Sequence, residues 1–156
     1  MTALQKRGIR VHASCVLVGE GAVLVRGPAG SGKTSLCLAL IEQARHIHVF
    51  SRLVTDDAVA LAVCHGRLLA RSVPDIEGLV ERRGLGLTPI LHEQAACVRL
   101  VVDCQFEEPP RLPEAEDMII EIEGVTIPRL AISRGAMDAV LVMAALGLFG
   151  DEPWSA

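Results

Sequence analysis

The chain has 156 residues, enough for one compact domain with a real core. With 51% hydrophobic and 22% charged residues, its composition excludes a largely disordered chain. Fifteen basic and nineteen acidic residues without a long run of either sign exclude a generic nucleic-acid or membrane-binding patch, and three Phe, one Trp and no Tyr leave no platform for stacking bases.

Val11–Val18 reads as a short strand, Gly19-Glu20-Gly21 as a tight turn and Ala22–Arg26 as a second strand, so residues 11–26 form a hairpin entering a glycine-rich loop. From Lys33 to about Arg45, Leu36, Leu40 and Ile41 recur at helical spacing. A strand around Arg52–Val54 ends at Asp56 and Asp57. Ala58–Val63 and Arg67–Arg71, joined by His65-Gly66, make another hairpin. Pro74 through Gly86 lacks periodicity and reads as a loop. Val98–Val102 is a buried strand, and Glu107–Pro113, with three prolines, a surface loop. Met118–Ile122 and Val125–Pro128 form a last hairpin, and Met137–Leu148 a final apolar helix. The fold class is α/β, with more hairpins than a doubly wound sheet usually carries. Its most apolar stretch, Ala139–Phe149, is shorter than the about 20 residues that span a bilayer. Five scattered cysteines without a CxxC pair read as reduced core thiols, and the expected location is cytoplasmic.

Gly27-Pro28-Ala29-Gly30-Ser31-Gly32-Lys33-Thr34 fits G-x-x-x-x-G-K-[ST], following a strand and opening a helix as the mechanism requires. Glycines let main-chain N–H groups surround a phosphate, and the start of the helix dipole favours the anion. Lys33 adds a mobile charge for the β- and γ-phosphates, and the Thr34 hydroxyl is a hard ligand for Mg²⁺. The loop therefore calls for ATP and Mg²⁺, and serves a kinase, an NTPase or a nucleotide-gated regulator equally well. A kinase also needs a base near the acceptor hydroxyl. Asp56 and Asp57 follow Lys33 by 23 and 24 residues and, being adjacent at a strand end, point in different directions, one toward a metal and one toward an acceptor. That spacing is short for the usual metal-side aspartate, which follows a longer apolar run.

Leu53-Val54-Thr55-Asp56-Asp57-Ala58-Val59 resembles the LVADDAV segment of the bacterial HPr kinase/phosphorylase family. Val80-Glu81-Arg82-Arg83-Gly84-Leu85-Gly86-Leu87 resembles its signature L-E-[IV]-R-G-[LV]-G-[IL], Val73-Pro74 and Gly78-Leu79 fit the approach to it, and His12 stands where the family has a His-Gly pair. The resemblance covers roughly residues 9 to 145. It implies a P-loop core of the HPr kinase/phosphoenolpyruvate carboxykinase type, with a mixed sheet, hairpins and flanking helices. It also implies a single catalytic domain over 1–156, without the N-terminal domain of longer members, assembled as a homohexamer. The implied activity is Mg²⁺- and ATP-dependent phosphorylation of a serine on HPr or an HPr-like phosphocarrier of the sugar phosphotransferase system, with a reverse phosphorolysis giving pyrophosphate. Carried onto these residues, Lys33 neutralises the moving phosphoryl group and Asp56 exchanges the serine proton. Thr34 and Glu81 hold Mg²⁺, with Asp57 as a metal or water ligand. His12 lies near the transferred phosphate and Arg83 orients the phosphate-side loop. Arg111 and Arg134 match later arginines of the family. The chain departs from the pattern at Ala13, Ser35, Arg82 and Ser133–Ala136, the last putting the phosphorolysis in question. A small-molecule kinase and a non-catalytic nucleotide sensor are the rival readings.

Overall fold

The computed structural model describes residues 8–148; Phe149 and both ends of the expected 1–156 domain lie outside them. The chain opens with strands β1 (Ile9–Val11), β2 (Ala13–Val18) and β3 (Gly21–Arg26), the last two an antiparallel hairpin in which Ala13 faces Arg26. His12 is the bend between β1 and β2, so the expected single strand is two. Helix α1 (Lys33–His46) follows the glycine loop, and then come β4 (Ser51–Thr55), β5 (Val59–Cys64) and β6 (Arg67–Arg71).

The segment expected as a loop contains β7 (Leu79–Arg82), which pairs with β8 (Gly86–Pro89) in a separate hairpin. Val80 alone of β7 is fully buried, so four residues with one core contact give no visible alternation. Beyond lie β9 (Ala95–Cys104), β10 (Ile119–Ile122), β11 (Val125–Ile132) and the short helix α2 (Ala139–Ala145). The expected helix over Met137–Leu148 begins instead as a 3₁₀ turn at Gly135–Asp138 and its α-helical part ends at Ala145.

Among the described residues, nine strands share one mixed sheet in the order β1-β5-β6-β9-β3-β2-β4, with β11 also on β9 and β10 on β11. Strand β9 runs parallel to β3 and to β11 and antiparallel to β6. Both faces of the central strands are buried, which explains their unbroken apolar sequence. Val16, Val18, Val23 and Val25 turn toward α1 and α2, where Leu36, Leu40, Val142 and Met143 meet them. Cys15, Ala22 and Leu24 alternate to the other face and pack with Val54, Leu61, Leu68 and Val101 inside the curl of the sheet. Each such Val or Leu contributes about 1.5–3 kcal/mol by leaving water. The result is a rigid platform whose β3 and β4 ends carry the glycine loop and the two aspartates.

Candidate functional site

Gly32 caps α1 in the left-handed region at φ 96°, with no side-chain cap and no acid in the first turn. The first N–H groups of the helix are therefore left for an anion. Gly27 sits at φ 147°, and a Cβ there would collide with the carbonyl oxygen of Cys104 and come within 2.7 Å of Ser31 Oγ. The Ser31 hydroxyl is buried in the loop without a hydrogen-bond partner among the described residues. An orphaned donor inside a ring of backbone amides fits a phosphate oxygen. Lys33, 7% exposed, folds back and donates to the carbonyls of Gly27 (2.8 Å) and Pro28 (3.1 Å). Both partners are neutral, and no carboxylate among the described residues forms an ion pair with its charge.

A register shift at Cys15/Val16, where β2 pairs with β4, re-aims the end of β4. Thr34 Oγ1 donates to Asp56 Oδ1 at 2.8 Å and Ser14 Oγ donates to the same oxygen at 2.7 Å. Ser14 also accepts the N–H of Asp57 at 3.2 Å. Asp56 is buried, while Asp57, at φ 66°, projects into solvent with Oδ1 3.3 Å from Nδ1 of the exposed His12. The expected divergence of the two aspartates is thus seen directly. With its proton committed to Asp56, Thr34 keeps its lone pairs for a cation. Mg²⁺ asks for only one or two protein oxygens beside phosphate and water, so this donor set fits it.

Glu81 is exposed on β7, and among the described residues no three His, Cys, Asp or Glu side chains group closely enough to hold a metal. Arg82 pairs with neither solvent alone nor Glu81; its Nε donates to Thr88 Oγ1 across the hairpin at 3.0 Å. Arg83 stands exposed at the hairpin tip beside Gly84. Arg111 is exposed in the proline-rich loop, and Arg134 binds Asp138 Oδ1 at 2.6 Å.

Three features escape sequence reading. Ser14 is one, although a hydroxyl in the apolar run Ala13–Val18 is a visible signal. The second is Gly135, whose Cα would lie 3.2 Å from a Cβ on Gly32, so that the loop before α2 backs directly onto the phosphate loop. The third is Asp103, one residue before the end of β9, the long apolar strand expected of a metal-side aspartate. Its oxygens are taken by Arg26 (both contacts 2.8 Å) and Arg129 (2.5 Å). Burial raises the pKa of Asp103, but the hydrogen bonds from the two arginines outweigh it and hold the carboxyl below its usual range.

No family model matches the chain. An HPr kinase/phosphorylase of Clostridium beijerinckii is 37% identical over 81 residues, 52% of this chain and 25% of that protein. One of Mycoplasma mycoides is 34% identical over 80 residues, 51% of this chain and 24% of that protein. The HPr(Ser) kinase/phosphatase of Coxiella burnetii superposes with a TM-score of 0.72 at 20% identity, covering 91% of this chain and 96% of that one. The chain resembles the HPr kinase/phosphorylases. The α/β fold expected from that resemblance, a curled mixed sheet with hairpins and flanking helices, is the fold of the Coxiella burnetii protein. The matched stretch corresponds to only about a quarter of the length of each curated relative.

Proposed function

We propose that this chain transfers the γ-phosphoryl group of ATP, held with Mg²⁺ in the Gly27–Thr34 loop, to a serine of HPr or an HPr-like phosphocarrier. The observation that carries the reading is a buried carboxylate, Asp56, bonded to the loop's own Thr34 and flanked by the exposed His12–Asp57 pair. When bound, Mg²⁺ neutralises charge on the β- and γ-phosphates. Thr34 would hold it, with the Asp56 carboxylate beside that hydroxyl and Glu81 as the further carboxylate that the resemblance implies. Lys33 leaves the loop carbonyls for the γ-phosphoryl oxygens.

The resemblance implies the proton-accepting role for Asp56. We assign it to Asp57, because Asp56 Oδ1 already accepts two hydroxyl donors while Asp57 faces solvent, where a protein acceptor approaches. The serine oxygen attacks the γ-phosphorus, its proton passes to Asp57, and the β–γ bridging oxygen leaves with the electrons as ADP. His12 orients the Asp57 carboxylate, and Arg83 steadies the incoming carrier from the hairpin tip. In the reverse phosphorolysis the same carboxyl returns the proton. A homohexamer in the cytoplasm is part of this proposal.

The test incubates the chain with Mg²⁺, γ-labelled ATP and the carrier of the same organism, and follows label onto serine. Transfer abolished by Lys33→Ala is the expected result. Absence of transfer by a protein that binds ATP would overturn the kinase reading in favour of a nucleotide-sensing module, and label on a metabolite panel would favour a small-molecule kinase.

A further inference from the structure

We infer that the cavity of about 760 Å³ between the 105–118 loop, β11 and α2 is the nucleoside subsite of the nucleotide donor. The inference rests on the reading that Gly27–Thr34 holds the donor's phosphates, and adds where the base and ribose lie.

A triphosphate is a linear chain with its reacting phosphoryl at one end and its nucleoside at the other. The glycine loop and the first turn of α1 hold its middle. On the β2–β4 side, Thr34 leads to Asp56, and the reacting end belongs there. The nucleoside must then leave across β9 and β11, on the opposite flank of β3. On that flank Gly135 touches Gly32, with Arg134 next to it, and Cys104 lies under Gly27, with Gln105 next to it. Both Arg134 and Gln105 line the cavity, so its lining comes within one residue of the Gly32–Gly135 and Gly27–Cys104 contacts.

Its shape and chemistry suit an aromatic base on a sugar. The volume falls within the range of about 300–1,000 Å³ usual for small-molecule sites. Leu130, Ile132, Leu141 and Met118 supply apolar surface for the faces of a flat heterocycle. Gln105 offers an amide for its polar edge, and Arg134, 62% exposed in its side chain, offers guanidinium N–H groups toward the ribose and α-phosphate. The wall is held from behind, because Arg129 is fixed between Asp103 and the carbonyl of Asp117. A second cavity of about 170 Å³ around Cys97–Arg99 and Val125–Pro128 is below that range.

Two probes separate this subsite from the phosphate loop, namely Mg·ATP and Mg·tripolyphosphate, which has the same charge-bearing chain without a nucleoside. Calorimetric titration of the whole protein is expected to show that Ala144→Phe, which fills the cavity from α2, weakens ATP about ten-fold or more and leaves tripolyphosphate unchanged. Lys33→Ala is expected to weaken both. Equal affinity of Ala144→Phe and wild type for ATP would overturn the inference, as would a parallel loss of both probes. Failure of the wild type to bind either probe would instead remove the phosphate-loop reading itself. Photolabelling of the unaltered protein with 8-azido-ATP needs no substituted chain. Label is expected in peptides spanning residues 105–118 or 129–145, and label confined to 9–14 or 79–92 would overturn the assignment.

Discussion

Asp56 and Asp57 are neighbours in sequence with opposite surroundings. The buried Asp56 shares one oxygen between two hydroxyls, whereas Asp57 is held by its backbone N–H on Ser14 and leaves its carboxylate exposed beside His12. Substituting each by Asn should therefore give different losses. Asp57→Asn should lower kcat by about 10²–10⁴ with little change in ATP affinity, the cost of a missing general base. Asp56→Asn should raise the Mg²⁺ concentration needed for half-maximal rate, because the Thr34 hydroxyl loses its charged acceptor. Steady-state kinetics over a Mg²⁺ series checks both, and an Asp57→Asn enzyme of wild-type kcat would return the base role to Asp56. Ser14→Ala should cost about 1–2 kcal/mol in a urea melt, since it removes a buried donor to a carboxylate and orphans the Asp57 amide. The loop Gly27–Thr34 was legible as a strand–glycine turn–helix junction because that pattern is local, set by glycines and by the spacing of the helix that follows. Ser14 was not, because its meaning depends on a partner 42 positions away that only the β2–β4 pairing supplies.

Strands and loops carry a second set of constraints. The β2–β3 hairpin and α1 were legible from turn residues and helical spacing, both features of short range. The β7–β8 hairpin was not, because its place is set by one buried Val80 and by backbone bonds from Ile90 to Gly78 and from Glu93 to Leu53. Nor did Asp103 disclose that two arginines from flanking strands would close on it. Those contacts tie β3, β9 and β11 together where the glycine loop begins. Because the folded Asp103 carboxyl titrates below its unfolded value of about 3.9, the link contributes stability above that pH and loses it as pH falls through the lower folded value. Asp103→Asn should thus destabilise the protein by about 2 kcal/mol at pH 7, with the difference from wild type shrinking below about pH 4. Thermal melts of the two proteins between pH 3 and 7 measure this, and a pH-independent difference would assign the loss to packing. At the Gly32–Gly135 contact, Gly32→Ala places a methyl 3.2 Å from the opposite Cα at φ 96°. Tripolyphosphate binding should fall with it, because the loop before α2 must shift.

Over the molecule as a whole, the cysteines report on how tightly the two-faced sheet is closed. Cys15, Cys37 and Cys104 are buried, whereas Cys64 and Cys97 are partly exposed. Burial pushes the Cys15 thiol up to about 12 and Cys104 up to about 11, the latter against the nearby charge of Lys33; burial also raises Cys37 well above the ordinary thiol range. Only thiolates attack alkylating agents, so these three are protected by both access and protonation. Iodoacetamide at pH 8 should modify Cys64 and Cys97 in the native protein and all five cysteines in denaturant, counted by mass spectrometry. Slow labelling of the other three then requires opening, and a ligand that binds only the closed form suppresses it by the factor 1 + [L]/Kd. Mg·ATP at about 100 times its Kd should therefore slow Cys15, Cys37 and Cys104 about 100-fold and leave Cys64 and Cys97 unchanged. If opening is global, the three slow together. Cys104 lies under Gly27 at the mouth of the phosphate loop, whereas Cys15 faces the curl of the sheet. Protection of Cys104 alone would mean that the loop end of β9 opens independently, and that nucleotide binding closes this end without tightening the rest of the core.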